Sequence, residues 1–370
     1  MENTDVLVFV EDPGAVNFVN QLPAALAERN LTTRMCAQAT ASKSLAAQKV
    51  AHIDVPAQTS AEAILRQYSP RLCVVGTAEN PDTLGLKLVD ACHQLRIPTV
   101  GVVDAQANAE YRFRGKSPDP LAHAPDWILT PDQPTRDEFR GLGFPGDRVA
   151  AVGHPQYDHV RRLAAEFTGR DRLATRARLY PKAPAHCPIV VFLSEVSTGC
   201  DPTEFRRSDA YTLHGSGKYD GRTQIVLEEF LRARNSLPST PYLVLRLHPK
   251  NTRIELSPLI DEFEEVSQHG CPLELIYFAD AVVGMTTMLL CEAALMGTPT
   301  LSIVPRSIES SWLASVSWGW TRVASTREHL AEELSSLLQQ TTETRPPNKG
   351  NGVPANSLGR LTDFLNNLLN

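Results

Sequence analysis

The sequence predicts an α/β protein with two Rossmann-like domains. Short apolar runs alternate with amphipathic stretches, this alternation occurs twice, and a charged, proline-containing break separates the two halves. Continuous apolar runs are typical of strands that are buried on both faces, and repeated strand–helix order implies parallel strands with right-handed crossovers. The length of 370 residues also favours two domains.

The first half contains five predicted strands and three predicted helices. Apolar runs place the strands at residues 6–10, 72–75, 98–103, 127–130 and 149–152. Apolar side chains at helical spacing predict helices at 17–29 and 83–95, and the polar stretch 133–142 is predicted to be a third helix.

The break between the halves follows an arginine-rich stretch at 161–178 and contains Pro181, Pro184 and Pro188. Beyond it we predict strands at 189–193, 242–247, 281–283 and 300–304, and helices at 225–234 and 288–296. A loose linker at 341–354 precedes a helix at 357–369, whose apolar face consists of Leu358, Leu361, Leu365 and Leu368. We therefore expect domains at 1–180 and 181–345, with a linker and C-terminal helix at 346–370.

Composition limits the function classes. The formal net charge of −6 argues against binding to nucleic acid, which usually needs a basic stripe. Seven scattered cysteines without a C-x-x-C pair, and an acidic N-terminus, favour a cytoplasmic protein. The apolar stretch 281–305 carries Glu292 in its middle, so we interpret it as a buried core segment and expect at most peripheral membrane contact.

Two acids follow the first predicted strand. Glu11 and Asp12 precede Pro13 and Gly14, a tight turn that leads into a helix. The first amides of that helix would favour an anion, so Gly14 and Asn17 are candidate anion-binding residues. The alternative is that Asp12 or Asn17 simply caps the helix.

Asp104 follows the third predicted strand, with Arg112 nearby. An acid at the end of a buried strand can act as a general base, so Asp104, Glu11 and Asp12 are the candidate catalytic residues. The alternative for Asp104 is a helix cap or a salt bridge to Arg112.

Sharper signals lie in the second half. Ser194 and Glu195 end its first strand, and His248 and Lys250 follow a later one, where an imidazole and a cation suit a phosphate. The alternative for His248 is a strand-end histidine bonded to the backbone.

Thr286 and Thr287 open the helix at 288–296, and their hydroxyls and amides also suit phosphate. Glu292, further along that helix, could accept ribose hydroxyls. Alternatively, one threonine is the N-cap and Glu292 pairs with an arginine.

Motifs for resident cofactors are missing. There is no G-x-G-x-x-G, and His154 and His159 are five residues apart, which is wrong for one helical face. We therefore expect neither a metal nor an organic cofactor.

The stretch Leu-His-Pro-Lys at 247–250, followed by the run from Ala279 to Pro299, resembles the C-terminal domains of GT-B glycosyltransferases. The similarity is greatest to bacterial CMP-sugar enzymes of capsule and lipopolysaccharide synthesis and to CDP-glycerol glycerophosphotransferases, and non-hydrolysing UDP-N-acetylglucosamine 2-epimerases share the fold. The resemblance implies two domains facing across a cleft, with the last helix packed on the first domain. It places His248, Thr286 and Thr287 at the donor phosphate and Glu292 at the ribose.

The sequence departs from these families in several places. Asp-Ala-Gln at 104–106 stands where a more aromatic stretch is expected, Thr286 and Thr287 replace the commoner Ser-Ser, and the loop at 197–221 matches nothing. The acceptor and the reaction therefore stay open.

We expect metal-independent transfer of a glycosyl or related group from a CMP-, CDP- or UDP-linked donor to a small-molecule or glycan acceptor, in surface-polysaccharide synthesis. The first domain would bind the acceptor and the second the donor, whose leaving phosphate His248 and Lys250 would help to neutralise. The alternatives are a nucleotide-sugar 2-epimerase, with Glu11, Asp104, Glu110 and Glu195 as acids, and a non-catalytic nucleotide-binding subunit. An oligomer is compatible with each.

Overall fold

The computed structural model describes residues 4–77, 80–106, 108–196, 205–339 and 354–370. Their contacts divide the chain into two units, Met1–His159 with Gly352–Asn370, and Val160–Asn351. The sequence predicts a boundary at residue 180, whereas residues 160–180 pack with the second unit. Arg176, for example, pairs with Asp280 at 2.8 Å. Residues 197–204 of the unmatched loop and most of the predicted linker lie outside the described residues.

In the described part of the first unit, seven parallel strands form one sheet. Its strands are β1 (Thr4–Val10), β2 (Thr33–Ala37), β3 (Ile53–Asp54), β4 (Pro70–Gly76), β5 (Thr99–Val102), β6 (Trp127–Thr130) and β7 (Val149–Ala151), in the order β3-β2-β1-β4-β5-β6-β7. Its helices are α1 (Pro13–Val19), α2 (Leu22–Ala27), α3 (Ala39–Ala47), α4 (Ala61–Tyr68), α5 (Leu84–Leu95) and α6 (Gln133–Gly141). This doubly wound arrangement confirms the predicted α/β class.

The helix predicted at 17–29 is wrong in its extent. The chain forms α1 from Pro13 and a separate α2 from Leu22. Asp12 caps α1 through a bond from the Gly14 amide at 3.2 Å, so the helix starts earlier than expected. Pro23 has no N–H to donate to the carbonyl four residues back, which ends the first helix.

The chain crosses into the second unit along α7 (Pro155–Thr168), which is followed by α8 (Arg172–Leu179). The described part of this unit has a six-stranded parallel sheet in the order β10-β9-β8-β11-β12-β13. Its strands are β8 (Ile189–Leu193), β9 (Tyr242–Arg246), β10 (Glu265–Ser267), β11 (Ala281–Gly284), β12 (Thr300–Ile303) and β13 (Thr321–Ala324). Its further helices are α9 (Arg222–Asn235), α10 (Pro272–Phe278), α11 (Met288–Leu295), α12 (Ala314–Ser317) and α13 (Arg327–Gln339).

The C-terminal helix α14 (Ser357–Leu369) belongs to the first unit, as predicted. Leu361 and Leu365 are fully buried in the same apolar cluster as Leu22 of α2. The Phe364 ring packs edge-on against Trp127, with centroids 5.5 Å apart. Burial of this face therefore fixes the tail on the first sheet's apolar layer.

Among the described residues, no helix combines the length and the apolar character that crossing a bilayer requires. The stretch at 281–305 forms β11, α11 and β12, as the sequence predicts.

Truncating the buried face of α14 is expected to destabilise the first unit. Leu361→Ala removes a fully buried side chain, and such cavities reduce the free energy of unfolding by about 2–5 kcal/mol. Urea denaturation followed by circular dichroism measures the change. Leu358→Ala is the matched control, because Leu358 lies on the same helix but outside the apolar cluster. Equal effects of the two substitutions would contradict this packing.

Candidate functional site

Three neighbouring strands of the second unit bring most of the predicted donor residues to one sheet edge. In the order β9-β8-β11, each strand ends just before a predicted site segment. Ser194 and Glu195 follow β8, His248 follows β9, and Thr286 follows β11. Because the strands are parallel, these segments all lie at their carboxyl ends.

A carboxylate occupies the N-terminus of α11. Glu195 Oε1 accepts bonds from the amides of Thr286 at 2.6 Å and Thr287 at 2.7 Å. Glu195 Oε2 accepts from the Thr286 hydroxyl at 3.1 Å. The Thr287 hydroxyl is the N-cap, accepting from the Leu289 amide, so the capping alternative holds for Thr287. The start of α11 is thus an anion site filled by the protein itself.

Arg222 completes this arrangement, and sequence analysis missed it. Its guanidinium is fully buried and donates to Glu195 Oε2 at 3.0 Å and to the Thr286 hydroxyl at 3.3 Å. Its Nε donates to the equally buried Glu309 at 2.6 Å. Burial opposes the charged form, but Glu309 and Glu195 outweigh it and raise the pKa of Arg222, so it is a permanent cation.

Arg306 balances the second carboxylate of this network. Its Nε donates to Glu309 at 2.7 Å, and its guanidinium lies 5.5 Å from the centre of the Trp312 ring. Arg222 lies 5.9 Å from the same ring. Two cations and two anions therefore pair here, and their only sequence signal is that Arg306 and Glu309 lie three residues apart before Trp312.

Two hydrogen bonds hold His248, one through its backbone amide and one through its ring. Its amide donates to the Ser194 hydroxyl at 2.9 Å, and its Nδ1 accepts from the Lys250 amide at 3.2 Å. An accepting Nδ1 puts the proton of a neutral imidazole on Nε2. Ser194 also donates to Asn251 at 2.8 Å, so this serine ties the ends of β8 and β9 together. Lys250 is exposed, and Glu292 is buried within α11.

In the first unit, Glu11 lies at the start of α5. Its carboxylate accepts from the amides of Gly85 at 3.1 Å and Leu84 at 3.3 Å. Burial raises the pKa of Glu11, and these bonds oppose that rise. Glu11 therefore adds to the N-cap that Thr83 provides for α5. Sequence analysis missed this role, because Glu11 and the amides that it accepts from are more than seventy residues apart.

Asp104 and Arg112 form a salt bridge, which is the alternative that the sequence analysis set against a catalytic role for Asp104. The guanidinium Nη1 lies 3.2 Å from Asp104 Oδ1, and both side chains are largely buried. A Cβ added to Gly14 would lie 1.8 Å from Asp104 Oδ2, so the glycine leaves room for this carboxylate. Asp104 is thus held against the first turn of α1, and Gly14 and Arg112 are its neighbours.

Asn17 lies away from this group, and its side chain accepts from Gln48 at 3.2 Å. Sequence analysis also missed Asp132, the N-cap of α6, whose Oδ1 accepts from the Thr135 amide at 2.9 Å. Burial raises the pKa of Asp132, and the bonds from Thr135 oppose that rise. Its other oxygen is buried and has no partner among the described residues.

His154 is buried between aromatic rings. Its ring centroid lies 4.8 Å from that of Phe18 and 4.9 Å from that of Tyr157. Nδ1 accepts from the Gln156 amide at 3.2 Å, and the ring also bonds to the backbone of Asp104. Burial lowers the pKa of His154 to about 3, against the bond to Asp104, so the ring is neutral.

No protein-family model matches the sequence, and no curated protein matches it. Solved structures nevertheless share its fold. The UDP-GlcNAc 2-epimerase of Neisseria meningitidis, bound to UDP-GlcNAc, superimposes with a TM-score of 0.67 at 13% identity over 98% of this chain and 100% of its own. The Methanocaldococcus jannaschii enzyme, with UDP-GlcNAc and UDP, gives 0.66 at 12% identity over 98% and 100%.

A wall teichoic acid polymerase has a lower TM-score of 0.53, at 14% identity over 100% of this chain and 90% of its own. At such identities the comparisons establish the fold alone. They confirm the two Rossmann-like domains of GT-B type.

Acid is expected to destabilise the first unit through His154. The ordinary pKa of about 6.5 applies to the unfolded chain, which takes up a proton below that pH, whereas the native ring, with a pKa of about 3, does not. Stability is therefore complete above pH 6.5 and decreases as the pH falls, by about 2 kcal/mol at pH 5.

Urea denaturation of wild type and His154→Gln at pH 7.5 and pH 5 tests this expectation. The variant, although less stable, should lose less stability between the two pH values than wild type. His186→Gln, at an exposed position, should retain the wild-type pH dependence. Parallel losses in wild type and His154→Gln would contradict a neutral buried ring.

Proposed function

We propose that this chain is an enzyme that binds a nucleotide-activated donor on its second unit and transfers a glycosyl or related group to an acceptor hydroxyl. The observation that carries the proposal is the convergence of the Thr286 and Thr287 amides on one anionic oxygen, 2.6 and 2.7 Å away. Two amides directed at one carboxylate oxygen and a buried guanidinium directed at the other match what a donor phosphate needs.

His248 supports the same assignment. With Nδ1 accepting from the Lys250 amide, its Nε2–H can donate to a phosphate oxygen without requiring a second proton on the ring. His248 follows β9, which pairs with β8, the strand that ends just before Glu195. The Ser194 hydroxyl fixes the His248 backbone by accepting a hydrogen bond from its amide. During transfer, negative charge grows on the leaving phosphate, and fixed donors of this kind stabilise it most.

We propose Asp104 as the acid of the first unit that activates the acceptor. Arg112 keeps a positive charge 3.2 Å from its carboxylate, which fits against α1 because position 14 is a glycine. Glu11 and Asp12 are less suited, because both already accept amide bonds at helix starts.

The second candidate is a nucleotide-sugar 2-epimerase. It is favoured by the fold shared with UDP-GlcNAc 2-epimerases whose structures contain UDP-GlcNAc, over the full length of both chains. Incubation with UDP-GlcNAc distinguishes the two reactions. An epimerase forms the C2 epimer without any acceptor, whereas a transferase releases nucleotide in proportion to acceptor.

Nucleotide binding through His248 is the first test. A panel of CMP, CDP, UDP, GDP and ADP at a hundred times the dissociation constant should add about 2.7 kcal/mol for the correct nucleotide. That corresponds to a rise in melting temperature of roughly 5–10 °C. His248→Ala should weaken binding by about 10- to 150-fold, the loss of one charge-assisted hydrogen bond.

His269→Ala, at an exposed position of the same unit, is the control and should bind like wild type. A panel without any shift would overturn nucleotide binding altogether. Equal affinity in His248→Ala and wild type would assign His248 a structural role. Binding without turnover of any donor would favour a non-catalytic subunit.

Turnover should depend on Asp104. Asp104→Asn keeps the shape but removes the base, so we expect kcat to fall about a hundredfold or more while nucleotide affinity stays nearly constant. Glu11→Gln should mainly lower the melting temperature. Asp137→Asn, an exposed change on α6, is the control. Full turnover in Asp104→Asn would show that the base lies elsewhere.

A further inference from the structure

The site proposed above for the donor phosphate is already occupied by a carboxylate of the chain itself, that of Glu195. Glu195 accepts four bonds there, from the Thr286 amide, the Thr287 amide, the Thr286 hydroxyl and Arg222. A phosphate oxygen cannot bond these two amides while Glu195 Oε1 does. Two anions sharing one helix start would also repel each other.

Helix α11 does not depend on Glu195 for its N-cap, and Arg222 does not depend on Glu195 for a counter-ion. Thr287 caps α11 with its own hydroxyl, at 3.4 Å from the Leu289 amide. Arg222 is anchored by Glu309 through its Nε at 2.6 Å, and Arg306 holds Glu309 from the other side at 2.7 Å. Removal of the Glu195 carboxylate therefore leaves a capped helix and a fixed, buried cation directed at its start.

We propose that Glu195 is an internal competitor of the donor phosphate, a self-inhibitory contact that must be displaced before the donor binds. This inference rests on the proposed function. When the carboxylate leaves, the incoming phosphate takes over the amides of Thr286 and Thr287 and the free face of Arg222. Glu309 keeps the guanidinium in place throughout.

The exchange makes Glu195 a specificity-determining residue. A ligand that binds at this site must first displace Glu195, which breaks four hydrogen bonds, one of them from a buried cation. A phosphate with several charged oxygens can do so, whereas a weakly charged or neutral ligand cannot. Glu195 therefore selects for phosphorylated ligands and lowers their affinity at the same time.

The test compares Glu195→Gln with wild type by calorimetric titration with CMP, CDP and UDP, and with cytidine and uridine. Glu195→Gln should bind at least one nucleotide about tenfold tighter or better, with no gain for the nucleosides. Glu228→Gln is the matched control, because this carboxylate of α9 also accepts an amide bond, from Ser216 at 2.9 Å, but lies outside the network. It should bind like wild type.

Glu195→Asp covers the case in which the amide variant does not fold. It keeps the charge beside Arg222 but is one methylene shorter, so it reaches the amides less well and should give a gain of several-fold. If wild type binds nucleotide and neither variant binds tighter, Glu195 is a structural cap and the inference fails alone. If neither wild type nor the variants bind any nucleotide, the proposed function fails with it.

Discussion

The first backbone amides of an α-helix have no hydrogen-bond acceptor within that helix. In both units, the residues at the strand ends must therefore supply acceptors for the helices that start there. The chain meets this need with its own acids. Their carboxylates accept hydrogen bonds from amides at the helix starts: Asp12 at α1, Asp132 at α6, Glu11 at α5 and Glu195 at α11. Each of these acids lies at or just beyond the end of a strand, the position that active-site acids also occupy in this fold class.

Most of the strands that the sequence predicts correctly are buried on both faces, and the half-buried edge strand β7 is the exception. Residues 6–10 and 189–193 are continuous apolar runs, and both lie within central strands. The strands β3, β10 and β13 were missed because they are short edge strands with exposed or half-buried residues, which carry no apolar run. The inner strand β2 was missed as well. It begins with the half-buried Thr33 and Arg34, so its apolar end is too short to be recognised as a strand.

The candidate site was predictable only in part, for a related reason. Residue type and position relative to a strand indicate that His248, Thr286 and Asp104 reach sheet edges, and the structure agrees. They do not indicate partners that are distant in the chain, such as the bond between Glu195 and the Thr286 amide, ninety-one residues apart. Full burial of Arg222 and Glu309 is likewise a property of packing, because isolated charged residues in a sequence are normally solvated.

The position of α14 affects the order in which the protein is made. The chain leaves the first unit at residue 159, forms the second unit, and returns to the first unit with residues 352–370. Domains generally fold as units during synthesis, the N-terminal one first. Here the second unit has its whole sequence outside the ribosome before the first has its own. The apolar layer around Leu22 and Leu26 stays uncovered until Leu361 and Leu365 emerge. While residues 352–370 are still unmade or within the ribosome, the first unit thus stays incomplete, and chaperones that bind apolar surfaces would recognise the older part of the chain.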